Sequence, residues 1–210
     1  SDAFREPTPG FEENRRGPKA VSTPGNVHAW EAMSRRFGRL NWAELFEAAI
    51  RTAEGGFVID DGLAGNIKAA FPEFPERARG IYGIAGRPLP AGAKLVQSDF
   101  GRSMRAVAGG GAKAFYEGGI GRAIEAEMKR AEGFLALRDL AEDKAEWFAP
   151  IGIKYRGYEV YTASPPATSF CSLIRLGMMS RFDPAALKLN SAEYLHRFIE
   201  VSKHAFWGRL

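Results

Sequence analysis

Residues 22–59, STPGNVHAWEAMSRRFGRLNWAELFEAAIRTAEGGFVI, constrain this chain more than any other part of it. They read as a helical hairpin. Thr23 is a candidate cap and Pro24 is preset for a first helical position. Val27, Trp30, Met33 and Phe37 then recur at helical spacing, with Arg35 and Arg36 on the opposite, wet side. Gly38 is expected to stop the helix in the left-handed conformation that glycine takes without penalty. Asn41 opens the second helix, Glu44 stands where it closes a capping box, and Leu40 faces Leu45 as a hydrophobic staple. Trp42, Leu45, Phe46, Ala49, Ile50 and Ala53 draw one apolar face, and Gly55-Gly56 ends it.

The remainder extends this helical pattern and adds one hairpin. Residues 1–20 are rich in proline, glycine and charge and read as irregular. Asp60-Asp61-Gly62 makes a turn and cap before a short helix on Leu63, Ile67 and Ala70, ended by Pro72. Residues 72–93 read as loop. Ser98 or Asp99 caps a helix facing inward with Phe100, Met104 and Val107, and Gly109-Gly110-Gly111 breaks it. Ile120, Ile124, Met128 and Ala131 mark the next helix, which ends at Gly133. Ile151, Ile153 and Tyr155 alternate, Arg156-Gly157 turns, and Tyr158, Val160 and Thr162 alternate back, a β-hairpin over 151–163. Leu173, Ile174, Leu176, Gly177 and Met178 lie on a helix closed by Phe182-Asp183-Pro184. The last helix starts at Asn190, with Glu193 in a capping-box position and a Leu189–Tyr194 staple. Its face is Leu195, Phe198, Val201, Ala205 and Phe206.

Composition removes several classes of function. A net charge of +4, with acids and bases interspersed, gives no basic tract for nucleic acid. The single cysteine, Cys171, excludes an internal disulfide, and no Cys/His cluster suits zinc. No apolar run reaches the ~20 residues of a membrane helix. SDAFREPTPG lacks the apolar core of a signal peptide. The triple glycine has no preceding strand and no Gly-Lys-Ser/Thr, so it is not a phosphate loop. His28, His196 and His204 fall on amphipathic helices and read as packing or surface residues. Cys171, in an apolar helix without an adjacent histidine, reads as a packing thiol.

One set of motifs resembles a known family. Thr23-Pro24-Gly25, Phe37-Gly38-Arg39-Leu40-Asn41-Trp42 and Glu54-Gly55-Gly56-Phe57 follow the order T-P-G, Y/F-G-x-L-x-W, E-G-F of the gamma-glutamyltranspeptidase large subunit. Gly86-Arg87-Pro88-Leu89 with Gly92 to Gln97, Ala112 to Gly118, Phe134 to Leu140, Tyr155-Arg156-Gly157-Tyr158 with Val160-Tyr161, and Asn190 to His196 continue the match along nearly the whole chain. Phe170-Cys171 departs from it, standing where the family has a glycine pair. Ala3-Phe4-Arg5-Glu6 matches three positions of the family tetrapeptide D-F-R-E, whose arginine holds the α-carboxylate of the gamma-glutamyl substrate. The resemblance therefore assigns Arg5 to substrate binding, a role suited to the planar guanidinium fork.

The fold class implied is α+β: a mainly helical segment with a β-hairpin, part of an N-terminal-nucleophile hydrolase αββα sandwich. Residues 1–210 are expected to form a single partial domain, an internal segment of the large subunit. The implied reaction moves a gamma-glutamyl group from glutathione or a similar amide to water or an acceptor amine. None of Thr8, Thr23, Thr52, Thr162 and Thr168 sits in the T-T-H-x-S context of the family nucleophile. The chain is thus expected to contain no catalytic residue, to require no metal or cofactor, and to be inactive alone. Its expected partners are gamma-glutamyl compounds and the small subunit of the same precursor, with self-association of the isolated segment, and neither nucleic acid nor membrane. The family implies a periplasmic or extracellular setting without deciding it. Two alternatives stand: a cephalosporin-acylase-like amidohydrolase of the same superfamily, motivated by Phe170-Cys171, and a non-catalytic interaction module.

Overall fold

The computed structural model describes residues 14–183 and 186–208. The chain divides into two compact units, the first running to Ala145 and the second starting at Glu146. It is mainly helical with three small two-stranded antiparallel sheets among the described residues.

The first unit contains α1 (Asn26–Phe37), a 3-10 turn (Ala43–Phe46) running into α2 (Glu47–Gly55), β1 (Phe57–Val58), α3 (Asp61–Ala70), α4 (Glu76–Tyr82), β2 (Gly83–Ile84), β3 (Arg87–Pro88), β4 (Lys94–Leu95), α5 (Ser98–Tyr116), α6 (Gly119–Arg130) and α7 (Leu137–Glu142). Strand β1 pairs with β4 through Phe57↔Leu95, and β2 with β3 through Ile84↔Arg87. The segment 72–93, expected as loop, therefore holds a short helix and a hairpin. Its elements are too short to show a period, and glycines and prolines punctuate them.

Two cores hold this unit. The larger gathers Val27, Phe46, Ile50, Val107, Tyr116 and Leu140, with Trp42 packed against it. The Trp42 indole N–H donates to the Val107 carbonyl at 2.8 Å, so this ring buries its bulk with its polar atom satisfied. The smaller core gathers Ile59, Ile67, Phe71, Leu89 and Leu95 around α3. The cap on α3 is the one the sequence implies: Asp60 Oδ1 accepts from the Leu63 N–H at 2.8 Å.

Several helix ends differ from expectation. Helix α1 begins at Asn26 rather than Pro24, with Gly25 at the cap. At its other end Gly38 is extended (φ −66°), not left-handed. Glycine is required there because a Cβ would lie 2.4 Å from the Ser34 carbonyl oxygen. Asn41 receives half of its capping box: its N–H donates to Glu44 Oε2 at 3.1 Å. Neither Ser98 nor Asp99 caps α5; Gln97 holds that position and Asp99 pairs with Arg102 and Arg77. The triple glycine kinks α5 without ending it. Gly111 alone leaves the helix (φ 65°, ψ −163°), and the Ala112 N–H is taken by Glu31 Oε1 of α1 at 3.2 Å. Helix α6 stops at Arg130, three residues before Gly133, and the left-handed residue after it is Glu132.

The second unit is a hairpin, β5 (Ile151–Tyr155) with β6 (Tyr158–Thr162), followed by α8 (Phe170–Met179) and α9 (Ala192–Trp207). The hairpin register is Ile153↔Val160, closed by Arg156 and Gly157, both at positive φ. Helix α8 packs on the hairpin and on α9. Cys171, Leu173, Met179, Val201 and Ala205 are buried. Ser191, not Asn190, caps α9: its Oγ accepts from the Tyr194 N–H at 3.2 Å, while Asn190 takes the left-handed turn before it. Leu40 and Leu189 are largely exposed, so neither expected staple buries its leading residue.

Candidate functional site

Arg5, which the family resemblance assigns to the substrate, lies outside the described residues. Among the described residues one meeting of polar and aromatic groups escapes sequence reading. It joins His28 of α1, Tyr116 at the end of α5 and Asp143 just after α7.

The arrangement follows from what α1 lacks. Its cap residue, Gly25, has no side chain to receive the first N–H groups, which have no partner inside the helix. The Tyr116 hydroxyl, 88 residues further along, takes that place by accepting from the His28 N–H at 3.3 Å. The same hydroxyl donates to the Pro24 carbonyl at 2.6 Å. The His28 imidazole lies flat on the Tyr116 ring, 3.7 Å between centroids and 6° between planes. Its Nδ1 is 2.7 Å from Asp143 Oδ2. A carboxylate only accepts, so Nδ1 carries the hydrogen in this pair. Asp143 also lies against Gly25, where a Cβ would sit 3.4 Å from Oδ1. A negative group there suits the N-terminal end of α1.

Burial pushes the Tyr116 hydroxyl above the ordinary tyrosine value; the His28 N–H opposes that shift and the Asp143 charge adds to it. Tyr116 is therefore held as a protonated donor, engaged on both sides with backbone. That describes a clasp, not a nucleophile. It also accounts for three sequence motifs at once: Thr23-Pro24-Gly25 supplies the acceptor and the close approach, Phe115-Tyr116 the hydroxyl, and the segment ending at Leu140 leads into Asp143. Such long-range pairing has no local periodic signal.

The other candidates divide plainly. Cys171 is buried in α8, as expected of a packing thiol. His196 and His204 are exposed on α9. No group of three or more His, Cys, Asp or Glu among the described residues is arranged to hold a metal. No described helix is long and apolar enough to cross a membrane. Glu54 and Arg105 form a two-pronged pair (2.7 and 2.6 Å) joining α2 to α5, and Arg105 holds the Glu54 carboxyl below its usual range. A groove open to solvent on α5 and α6 is lined by Ser103, Ile120, Ala123, Ile124, Glu127 and Met128. It is apolar and brings no convergent acid, base and nucleophile together.

Comparison with known proteins identifies what this scaffold belongs to. A profile of gamma-glutamyltranspeptidase matches residues 1–210. The chain is 32% identical over 206 residues to the capsule biosynthesis protein CapD proenzyme of Bacillus anthracis, covering 98% of this chain and 38% of that protein. It is 34% identical over 201 residues to the acylase ACY 1 proenzyme of a Pseudomonas strain, covering 94% of this chain and 36% of that one. The chain thus spans under two-fifths of the length of these curated relatives. The crystal structure of Helicobacter pylori gamma-glutamyltranspeptidase superposes with a TM-score of 0.89 at 28% identity, over 96% of this chain and 59% of that one.

Proposed function

Because the chain belongs to the gamma-glutamyltranspeptidase family, we propose that it is one partial domain, an internal segment of the large subunit of a gamma-glutamyl transferase or hydrolase. The observation that carries this reading is the match over residues 1–210, reinforced by motif agreement from Thr23 to His196. Its substrates are gamma-glutamyl amides such as glutathione. Arg5 clamps the α-carboxylate of the donor, and the small subunit of the same precursor supplies the nucleophilic threonine and the oxyanion donors. The reaction is acyl transfer through a covalent intermediate. The 210 residues alone lack the nucleophile and have no turnover.

The complete protein, assayed with a gamma-glutamyl anilide, tests this. Activity is expected there and not in the 210-residue chain, and turnover by the latter would overturn the division of labour. In the complete protein, Arg5→Ala should cost on the order of 1.5–3 kcal/mol in kcat/KM, the range for hydrogen bonds to a charged group. Arg5→Lys keeps the charge but loses the fork and should raise KM several-fold. An unchanged kcat/KM in Arg5→Ala would return Arg5 to the ordinary surface.

A second reading is favoured by a specific observation: the acylase relative is as similar as the CapD relative. The Phe170-Cys171 departure, with Cys171 buried at the start of α8, points the same way. A panel opposing gamma-glutamyl anilide to a cephalosporin side-chain amide separates the two. The coding sequence beyond Leu210 decides against both if it lacks a T-T-H-x-S motif, leaving a non-catalytic module.

A further inference from the structure

We draw no further inference here: the strongest candidate, the cleft between α4 and α6 lined by Pro75, Arg77, Ile81, Glu127 and Arg130, carries nothing, because its two guanidiniums are already engaged by Asp99 and Glu127 and, among the described residues, no buried polar side chain is left without a partner to mark a ligand there.

Discussion

Helices α1 and α2 follow one another in the chain with comparable apolar periodicity, yet they use it differently. Helix α2 and its leading turn bury Phe46, Ile50 and Ala53, while α1 buries Val27 and presents Trp30, Met33 and Phe37 to solvent. The difference lies in the polar residues between. Helix α2 has an inward line free of titratable groups until Glu54, whereas α1 carries His28 and Glu31 on the side that meets α5 and Asp143, each with a specific acceptor or donor waiting. Burying a polar group without its partner costs more than exposing a few apolar side chains. Amphipathic spacing therefore says which face is apolar and not what it faces.

The contrast can be broken at its strongest point first. Phe46→Ala, which empties a packed site on the α2 side, should cost about 3–5 kcal/mol in urea unfolding. Phe37→Ser on α1 should stay within about 0.5 kcal/mol in the same assay, the ordinary range for exposed positions. Equal costs at the two positions would mean that α1 is packed like α2.

Next in size is the clasp that holds α1 in place. Tyr116→Phe keeps the ring against His28 but leaves the Pro24 carbonyl and the His28 N–H without their partner. An expected cost of about 1–3 kcal/mol follows from those two orphaned groups. A neutral result would show that water replaces the hydroxyl and that α1 is not fixed by it.

A smaller effect is alkaline. The Tyr116 hydroxyl is raised above its ordinary value, chiefly by burial, so the unfolded chain loses this proton first as pH rises. Its contribution is whole below about pH 10 and is lost as the pH climbs through the folded value. Stability should therefore fall more steeply above pH 10 in the unsubstituted protein than in Tyr116→Phe. Parallel profiles would contradict the burial of this hydroxyl. The smallest effect concerns association. The 210-residue chain should self-associate loosely or take up an apolar dye at micromolar concentration, and Trp30→Ser with Phe37→Ser should reduce it.

Most elements were legible from spacing alone. The helices of 26–37, 61–70, 119–130 and 170–179 and the hairpin of 151–162 lie where periodicity puts them. What escaped has a common cause: it depends on groups far apart in sequence. Tyr116 caps α1 across 88 residues, and Asp143 reaches His28 across 115. A local reading instead gave the cap to Thr23 and buried Trp30, Met33 and Phe37, although it placed Arg35 and Arg36 correctly in solvent. The short elements within 72–93 are too brief to carry a period. The clasp was visible only in pieces, as motifs whose shared purpose appears once they are adjacent. Arg5, assigned by resemblance, is the one site residue that spacing could never have singled out.

The kink in α5 has a consequence for descent. Gly111 holds a backbone conformation closed to other residues, and the N–H it releases is answered by a carboxylate on a different helix. A lineage that replaced Gly111 would straighten the helix and leave Glu31 facing a donor already spent; one that replaced Glu31 would strand the donor. Positions 31 and 111 should therefore be inherited as a pair, lost together or kept together, wherever α1 meets a kinked α5.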